Sequence, residues 1–375
     1  MTSTPPPLPT PVLSMTLAPP QPDMSAYNSL TLFGRWYAHI HGYLSTCVCV
    51  FGIVTNIFNI TVLSRKNMST PVNNILTWLA VSDMITMLSY VPFAMHFYVL
   101  NNPTYITPEK NDWPWTVFMF FHFNLVNTTH TISIWLCVLL SILRYAHLRS
   151  PARGELIRVR RLKFSRAFIA CVYIGSAIMM TPNFITKEII EKNTSTSSVY
   201  IIRDTNIGNS DFWTTVLVQY WLYAITGKLL PCVLMFIFGS LLIYKIREKT
   251  RKRKHMMQIS CTNRTRLSEH SRTTKMLLTV IVLFLATELP QGILIVLSIT
   301  TPNIFDHIYV PLGDLMDILA LVNNAINFVL YCSMSQKFRH TFIEVYCSCL
   351  CLRPEKEAGI PLRQKLDSYS NNNQV

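Results

Sequence analysis

Four carboxylates stand in stretches that otherwise avoid charge. Asp83 closes the string Leu79-Ala80-Val81-Ser82-Asp83, and Glu288 lies in Thr287-Glu288-Leu289-Pro290-Gln291. Asp314 and Asp317 belong to Asp314-Leu315-Met316-Asp317-Ile318-Leu319. An ionisable group in an apolar stretch is costly, so each is a functional candidate. The plain alternatives are a helix–helix hydrogen bond or, for Asp314 above all, a wet rim position. Asparagine is dense close by, at Asn323, Asn324 and Asn327. Asn323 and Asn327 are four residues apart and share a helix face. With Asp83, Asn56 and Ser133 they make a candidate polar core. Its oxygens and single carboxylate suit a sodium ion, or else a network of polar contacts that ties helices together.

Other chemistry is excluded by what is missing. A Schiff-base photoreceptor needs a Lys in the last apolar stretch, and residues 308–334 contain none. No His-Glu-x-x-His spacing occurs, and His96, His122, His130 and His307 are dispersed, which argues against an intramembrane metalloenzyme.

The elements that carry these groups are long and apolar. Half of the 375 residues are hydrophobic and 14% are charged, against about 25% charged in soluble domains. Mean hydropathy is +0.30. Apolar runs fall at about 39–63, 72–98, 115–143, 167–186, 213–244, 276–300 and 308–334. A run this long can cross a bilayer only as a helix, because open sheet edges cannot face lipid. The predicted fold is an all-α membrane protein, a seven-transmembrane helix bundle with a short amphipathic helix after the last span. Pro92, Pro231 and Pro290 fall inside spans and can kink them. No internal repeat is evident, which weighs against an ion-coupled transporter, the alternative from another class.

Charge sets the orientation. Of the 33 Lys and Arg residues, 27 lie in segments 64–71, 144–166, 245–275 and 335–375. The positive-inside rule makes these cytoplasmic and the N-terminus extracellular. The run Arg251-Lys252-Arg253-Lys254 is read as topogenic charge beside a membrane rather than as a nucleic-acid site. Residues 1–38, with eight prolines between Pro5 and Pro22, form an expected extracellular Pro-rich tail without signal-peptide character, so the first span serves as the insertion signal. The receptor domain is then 39–334, the amphipathic juxtamembrane helix 335–347 and the cytoplasmic tail 348–375. Asn193-Thr194-Ser195 is the one glycosylation triplet expected outside. The segments expected outside hold no cysteine, hence no disulfide. Cys347, Cys349 and Cys351 follow the last span as candidate palmitoylation sites.

Together these landmarks resemble the rhodopsin-like G-protein-coupled receptors. They include Gly52-Ile53-Val54-Thr55-Asn56, the Leu-Ala-x-x-Asp ending at Asp83, Arg144-Tyr145, Pro231, Phe284 with Pro290, and Asn327-Phe328-Val329-Leu330-Tyr331. Departures are specific. Leu143 replaces the usual acid before Arg144, Phe328 replaces a Pro and Glu288 replaces a Trp. The external cysteine pair is missing, with Met119 at one place and no Cys in 187–212. Phe33-Gly34-Arg35-Trp36-Tyr37, His130-Thr131-Ile132-Ser133-Ile134-Trp135, the Glu288 and Asp314 strings and Asn327 to Phe338 resemble the invertebrate myosuppressin receptors, with some features shared by sex-peptide and other FMRFamide-like receptors.

The resemblance implies a plasma-membrane receptor, not an enzyme, for an amidated neuropeptide ending in Arg-Phe-amide. Its inner partners are a heterotrimeric G protein, of inhibitory type, and arrestin. For such a ligand Glu288, Asp314 and Asp317 are candidate partners of the guanidinium. His122 and Gln291 are candidates for the amide, and Tyr90, Trp115 and Phe121 for the aromatic slot. Aromatics at helical spacing more often simply pack. Arg144, Tyr145 and Tyr331 are the expected G-protein coupling and activation residues. A chemosensory receptor for another ligand is the nearest rival within the same fold.

Overall fold

The computed structural model describes residues 24–149, 155–194, 197–204, 220–256, 264–301 and 303–347. Seven helical spans in it are long and apolar enough to cross a membrane: Asn28–Leu63, Pro71–Leu100, Trp113–Arg149, Val159–Ile185, Tyr220–Glu248, Leu278–Thr300 and Phe305–Met334. They correspond one for one to the apolar runs of the sequence. The helices that build them are α1 (Met24–Leu63), α2 (Pro71–Ala94), α3 (Trp113–Arg149), α4 (Glu155–Met180), α5 (Leu230–Met256), α6 (Arg264–Thr300), α7 (Val310–Ala325) and α8 (Asn327–Met334). A last helix, α9 (Gln336–Tyr346), follows.

Local sequence explains several boundaries. Thr70 caps α2 by accepting from the Asn73 backbone N–H, and Pro71 fills the first helical position, where no N–H is needed. Asp112 accepts from the Trp115 backbone N–H at 3.1 Å and starts α3. Ser335 caps α9 through the Phe338 N–H. Three spans widen into π turns, at Met95–Leu100, Tyr223–Leu229 and Phe305–Tyr309. In the fifth span the widened turn leaves the Thr226 carbonyl to accept from Trp135 Nε1 at 3.2 Å. The seventh span breaks between α7 and α8 at Ile326 without a proline.

α1 packs on α2 and α7, and α3 runs through the middle against α2, α4, α5 and α6. Gly52 lets α1 approach closely, since a Cβ there would collide with Met87 and crowd Ala325. One apolar cluster, including Leu79, Leu136, Phe284 and Tyr331, fills the half toward α9. A second, including Tyr37, Met87, Tyr90 and Phe93, fills the opposite half. On α9, Phe338 and Phe342 face Phe328, and Phe342 and Tyr346 face Phe58. This apolar seam, with Lys337, Arg339 and His340 in the same helix, gives the amphipathic helix that the sequence predicts.

Two features differ from the sequence reading. The tail expected through residue 38 is helical from Met24, because the prolines end at Pro22 and nothing after it interrupts a helix. The connection after the fourth span holds an antiparallel hairpin, β1 (Lys187–Thr194) with β2 (Ser197–Asp204), with Asn193 opposite Ser198 near its tip. The hairpin is tied to the start of α3 by hydrogen bonds. Tyr200 N–H donates to the Asn111 carbonyl at 2.9 Å, Thr116 Oγ1 donates to the Tyr200 carbonyl at 3.3 Å, and the rings of Tyr200 and Trp113 meet edge to face.

Candidate functional site

The four carboxylates fall into three groups by their partners. At the hairpin end, Asp314 and Asp317 stand three residues apart on one face of α7. Tyr98 donates to Asp314 Oδ1 at 2.8 Å, and Tyr90 donates to Asp317 Oδ2 at 3.3 Å. Tyr90 has one proton to give, so the 2.9 Å contact from His41 must be a donation from its Nε2–H. His41 Nδ1 is then a buried acceptor without a partner among the described residues. Asp314 is half-buried and Asp317 is exposed. Because Asp317 bonds a buried tyrosine, its exposure is to the interior cleft and not to the outside of the bundle. Among the described residues neither carboxylate has a cationic partner.

Glu288 forms the second group and differs in kind. Its Oε2 accepts from Lys228 Nζ at 2.7 Å and from His130 Nε2 at 2.9 Å. Lys228 also donates to Gln291 Oε1 at 2.8 Å. Glu288 and Lys228 are both 0% exposed. This group joins the third, fifth and sixth spans and balances its own charge. Reading the span acids alone misses Lys228, although a lone Lys in the run 213–244 carries the same signal. Tyr98 and His41 are also missed, and as ordinary polar or aromatic residues near span ends they give no distinctive sign.

The third group is Asp83, fully buried. Ser133 donates to its Oδ1 at 2.8 Å and Asn327 Nδ2 to its Oδ2 at 3.2 Å. Of the expected polar core, Asp83, Ser133 and Asn327 are brought together directly. Asn56 instead donates to the Asn324 carbonyl at 3.3 Å, reaching the backbone opened near the Ile326 break. Asn323 is buried beside them with its Nδ2 unpaired, and Asn324 Oδ1 is likewise unpaired among the described residues.

The expected ligand walls divide. Trp115 lies flat on His96 at 3.7 Å, with Phe118 at its edge. His96 in turn bonds the Lys110 carbonyl at 3.0 Å, while the Lys110 ammonium is held by the carbonyls of Asn102, Pro103 and Tyr105. Burial lowers the proton affinity of that ammonium. Tyr90 is buried and acts through its hydroxyl. His122 is already occupied, its Nδ1 at 2.7 Å from Ser89 and its ring stacked on Phe93 at 4.2 Å. Phe121 is 53% exposed, one residue off the helix face that carries His122, so it lines nothing with these groups.

At the opposite end, Arg144 is 7% exposed and its Nε is unpaired among the described residues. Leu143 beside it offers no carboxylate. Tyr145 faces Phe238 at 6.1 Å, and Tyr331 meets Phe338 at 5.5 Å. Cys347 ends α9 half-buried as a free thiol, while Cys349 and Cys351 lie outside the described residues.

Residues 43–349 match the family described as Serpentine type 7TM GPCR chemoreceptor Srw. The chain is 31% identical to the G-protein coupled receptor dmsr-1 of Caenorhabditis elegans, across 93% of this chain and 76% of that protein. It is 25% identical to the Sex peptide receptor of Drosophila melanogaster, across 90% of this chain and 79% of that protein. Against the Drosophila FMRFamide receptor the identity is 24%, across 85% of this chain and 56% of that protein.

Proposed function

This chain belongs to the serpentine-type seven-transmembrane G-protein-coupled receptors, and we propose that it is a plasma-membrane receptor for an amidated neuropeptide ending in Arg-Phe-amide, of myosuppressin type, with its N-terminus outside. The observation that carries this reading is the pair Asp314 and Asp317. Two carboxylates facing one cleft, capped by phenols and lacking a cation among the described residues, form a receptor for a guanidinium. Glu288 fits that role less well, because Lys228 already neutralises it. Tyr90 with Phe93 and Phe97 with Trp115 form an aromatic cluster against which the terminal ring packs. Likeness to receptors named for FMRFamide and for a sex peptide supports a peptide ligand.

Peptide binding at the hairpin end draws α7 and α6 together across the cleft. The sixth span, which carries Pro290 inside its helix, converts this into movement of its basic end. Arg144, Tyr145 and Tyr331 then meet a helix of an inhibitory G protein, and arrestin uses the same opening. A sodium ion fits the polar core, where buried Asp83 has no cation among the described residues and Asn324 Oδ1 lacks a donor. Asn193 is the glycan site, and Cys347, Cys349 and Cys351 carry palmitate beside the amphipathic helix.

The test is a panel of amidated neuropeptides on cells expressing the receptor, read by cyclic AMP with and without pertussis toxin. Arg-Phe-amide peptides activate the wild type, and Asp317→Lys abolishes the response while surface expression persists. Unchanged potency in Asp317→Lys defeats the anchor. The word chemoreceptor in the family description favours a second reading, a sensor of another ligand, and silence toward every amidated peptide with a response to a neutral small molecule would establish it.

A further inference from the structure

Glu288 uses only one of its oxygens. Oε2 takes the hydrogen bonds from Lys228 and His130, while Oε1 is buried with no partner among the described residues. A buried charged acceptor without a donor is costly and calls for an explanation. Beside it, the Lys228 ammonium has three N–H bonds to give, and among the described residues its two acceptors are Glu288 Oε2 and Gln291 Oε1. Adjacent atoms of one ion pair therefore offer an acceptor that lacks a donor and a donor that lacks an acceptor.

A primary carboxamide completes both. Its N–H donates to Glu288 Oε1 and its carbonyl accepts from Lys228 Nζ, and as a neutral group it leaves the balance of the pair unchanged. A carboxylate has no proton for Oε1 and sets a second negative charge beside Glu288 in a dry site, where such repulsion is strong. Position agrees with this. Asp317 lies twelve residues from the outer end of the seventh span and Glu288 twelve residues from the outer end of the sixth. A peptide held by its penultimate Arg at Asp317 presents its last residue across the cleft to Glu288 and Lys228.

We propose that Glu288 Oε1 and Lys228 Nζ together read the C-terminal carboxamide of the peptide and make the receptor select amidated over free-acid ligands. The assignment rests on the peptide-receptor reading above, and it makes Glu288 and Lys228 specificity-determining residues.

The experiment compares each activating amidated peptide with its free-acid twin on wild type and Glu288→Gln, with epitope-tagged surface receptor counted in parallel. In Glu288→Gln the amide oxygen stays with Lys228, and an N–H₂ replaces Oε1. Potency of the amidated form falls about ten- to hundredfold, the worth of a charge-assisted hydrogen bond. The free acid holds or gains, so the ratio of the two collapses. The double variant Lys228→Gln/Glu288→Gln leaves no unpaired buried charge and shows the same collapse if the single variant fails to reach the surface. Equal wild-type potency of the two forms overturns the proposal, as does an unchanged ratio in the variant that reaches the surface. Amide selectivity lost in these variants for peptides without a penultimate Arg sustains the proposal and overturns the Arg anchor. Silence toward all amidated peptides overturns both.

Discussion

Asp314 and Asp317 receive hydrogen bonds from tyrosines, whereas Glu288 receives them from a lysine and a histidine. Both groups face the same bundle interior. The phenols satisfy oxygens without removing charge, so the aspartate pair keeps a negative field. Lys228 cancels the charge of Glu288 and clasps the fifth span to the sixth. A carboxylate that the fold has already paired holds shape, and one left merely solvated and hydrogen-bonded remains open to a cation that arrives from outside.

The sharpest way to break this distinction is to remove Lys228. Lys228→Met strands Glu288 in a dry interior, and destabilisation of about 3–5 kcal/mol is expected, read as lost surface receptor and a lower unfolding temperature in detergent. Lys228→Met/Glu288→Leu removes both charges and recovers folding. If the single variant is as stable as wild type, the Lys228–Glu288 pair is not a clasp. Next in size is the aspartate pair. Asp317→Asn keeps the acceptor for Tyr90 but loses the charge, and agonist potency falls roughly ten- to hundredfold with unfolding temperature unchanged. Asp314→Asn has a smaller effect, because that carboxylate is less accessible. Equal effects of the two on stability, with none on potency, would merge the groups. Outside both, Thr116→Val removes the side-chain donor to the Tyr200 carbonyl and costs about 1 kcal/mol, visible as faster amide exchange across Ser197–Asp204. Smallest and most local is Ser335→Ala, which removes the cap of α9 at about 0.5–1 kcal/mol, seen as exchange at the Phe338 amide.

The spans were readable because burial in lipid demands long apolar runs, and Asp83, Glu288, Asp314 and Asp317 stood out against them. Their partners were harder to read. Tyr90 and Tyr98 look like ordinary aromatics until the fold sets their hydroxyls against α7. Lys228 was legible by the same rule as the acids. The hairpin was legible in part, since Val199, Tyr200, Ile201 and Ile202 favour a strand and Asn193-Thr194-Ser195-Thr196-Ser197 favours a turn. The start of α1 was masked by the prolines before it. Each π turn lies within three residues of a proline, Pro92, Pro231 or Pro311, whereas the break at Ile326 leaves no residue type behind.

The attachment of the hairpin to α3 has a practical consequence. Tyr200, Asn111, Thr116 and Trp113 do with amide, hydroxyl and ring contacts what a sulfur bridge would do. Redox conditions are then irrelevant to the ligand-facing architecture. Dithiothreitol leaves agonist potency untouched, and membranes from a host with a thiol-rich secretory route yield competent receptor.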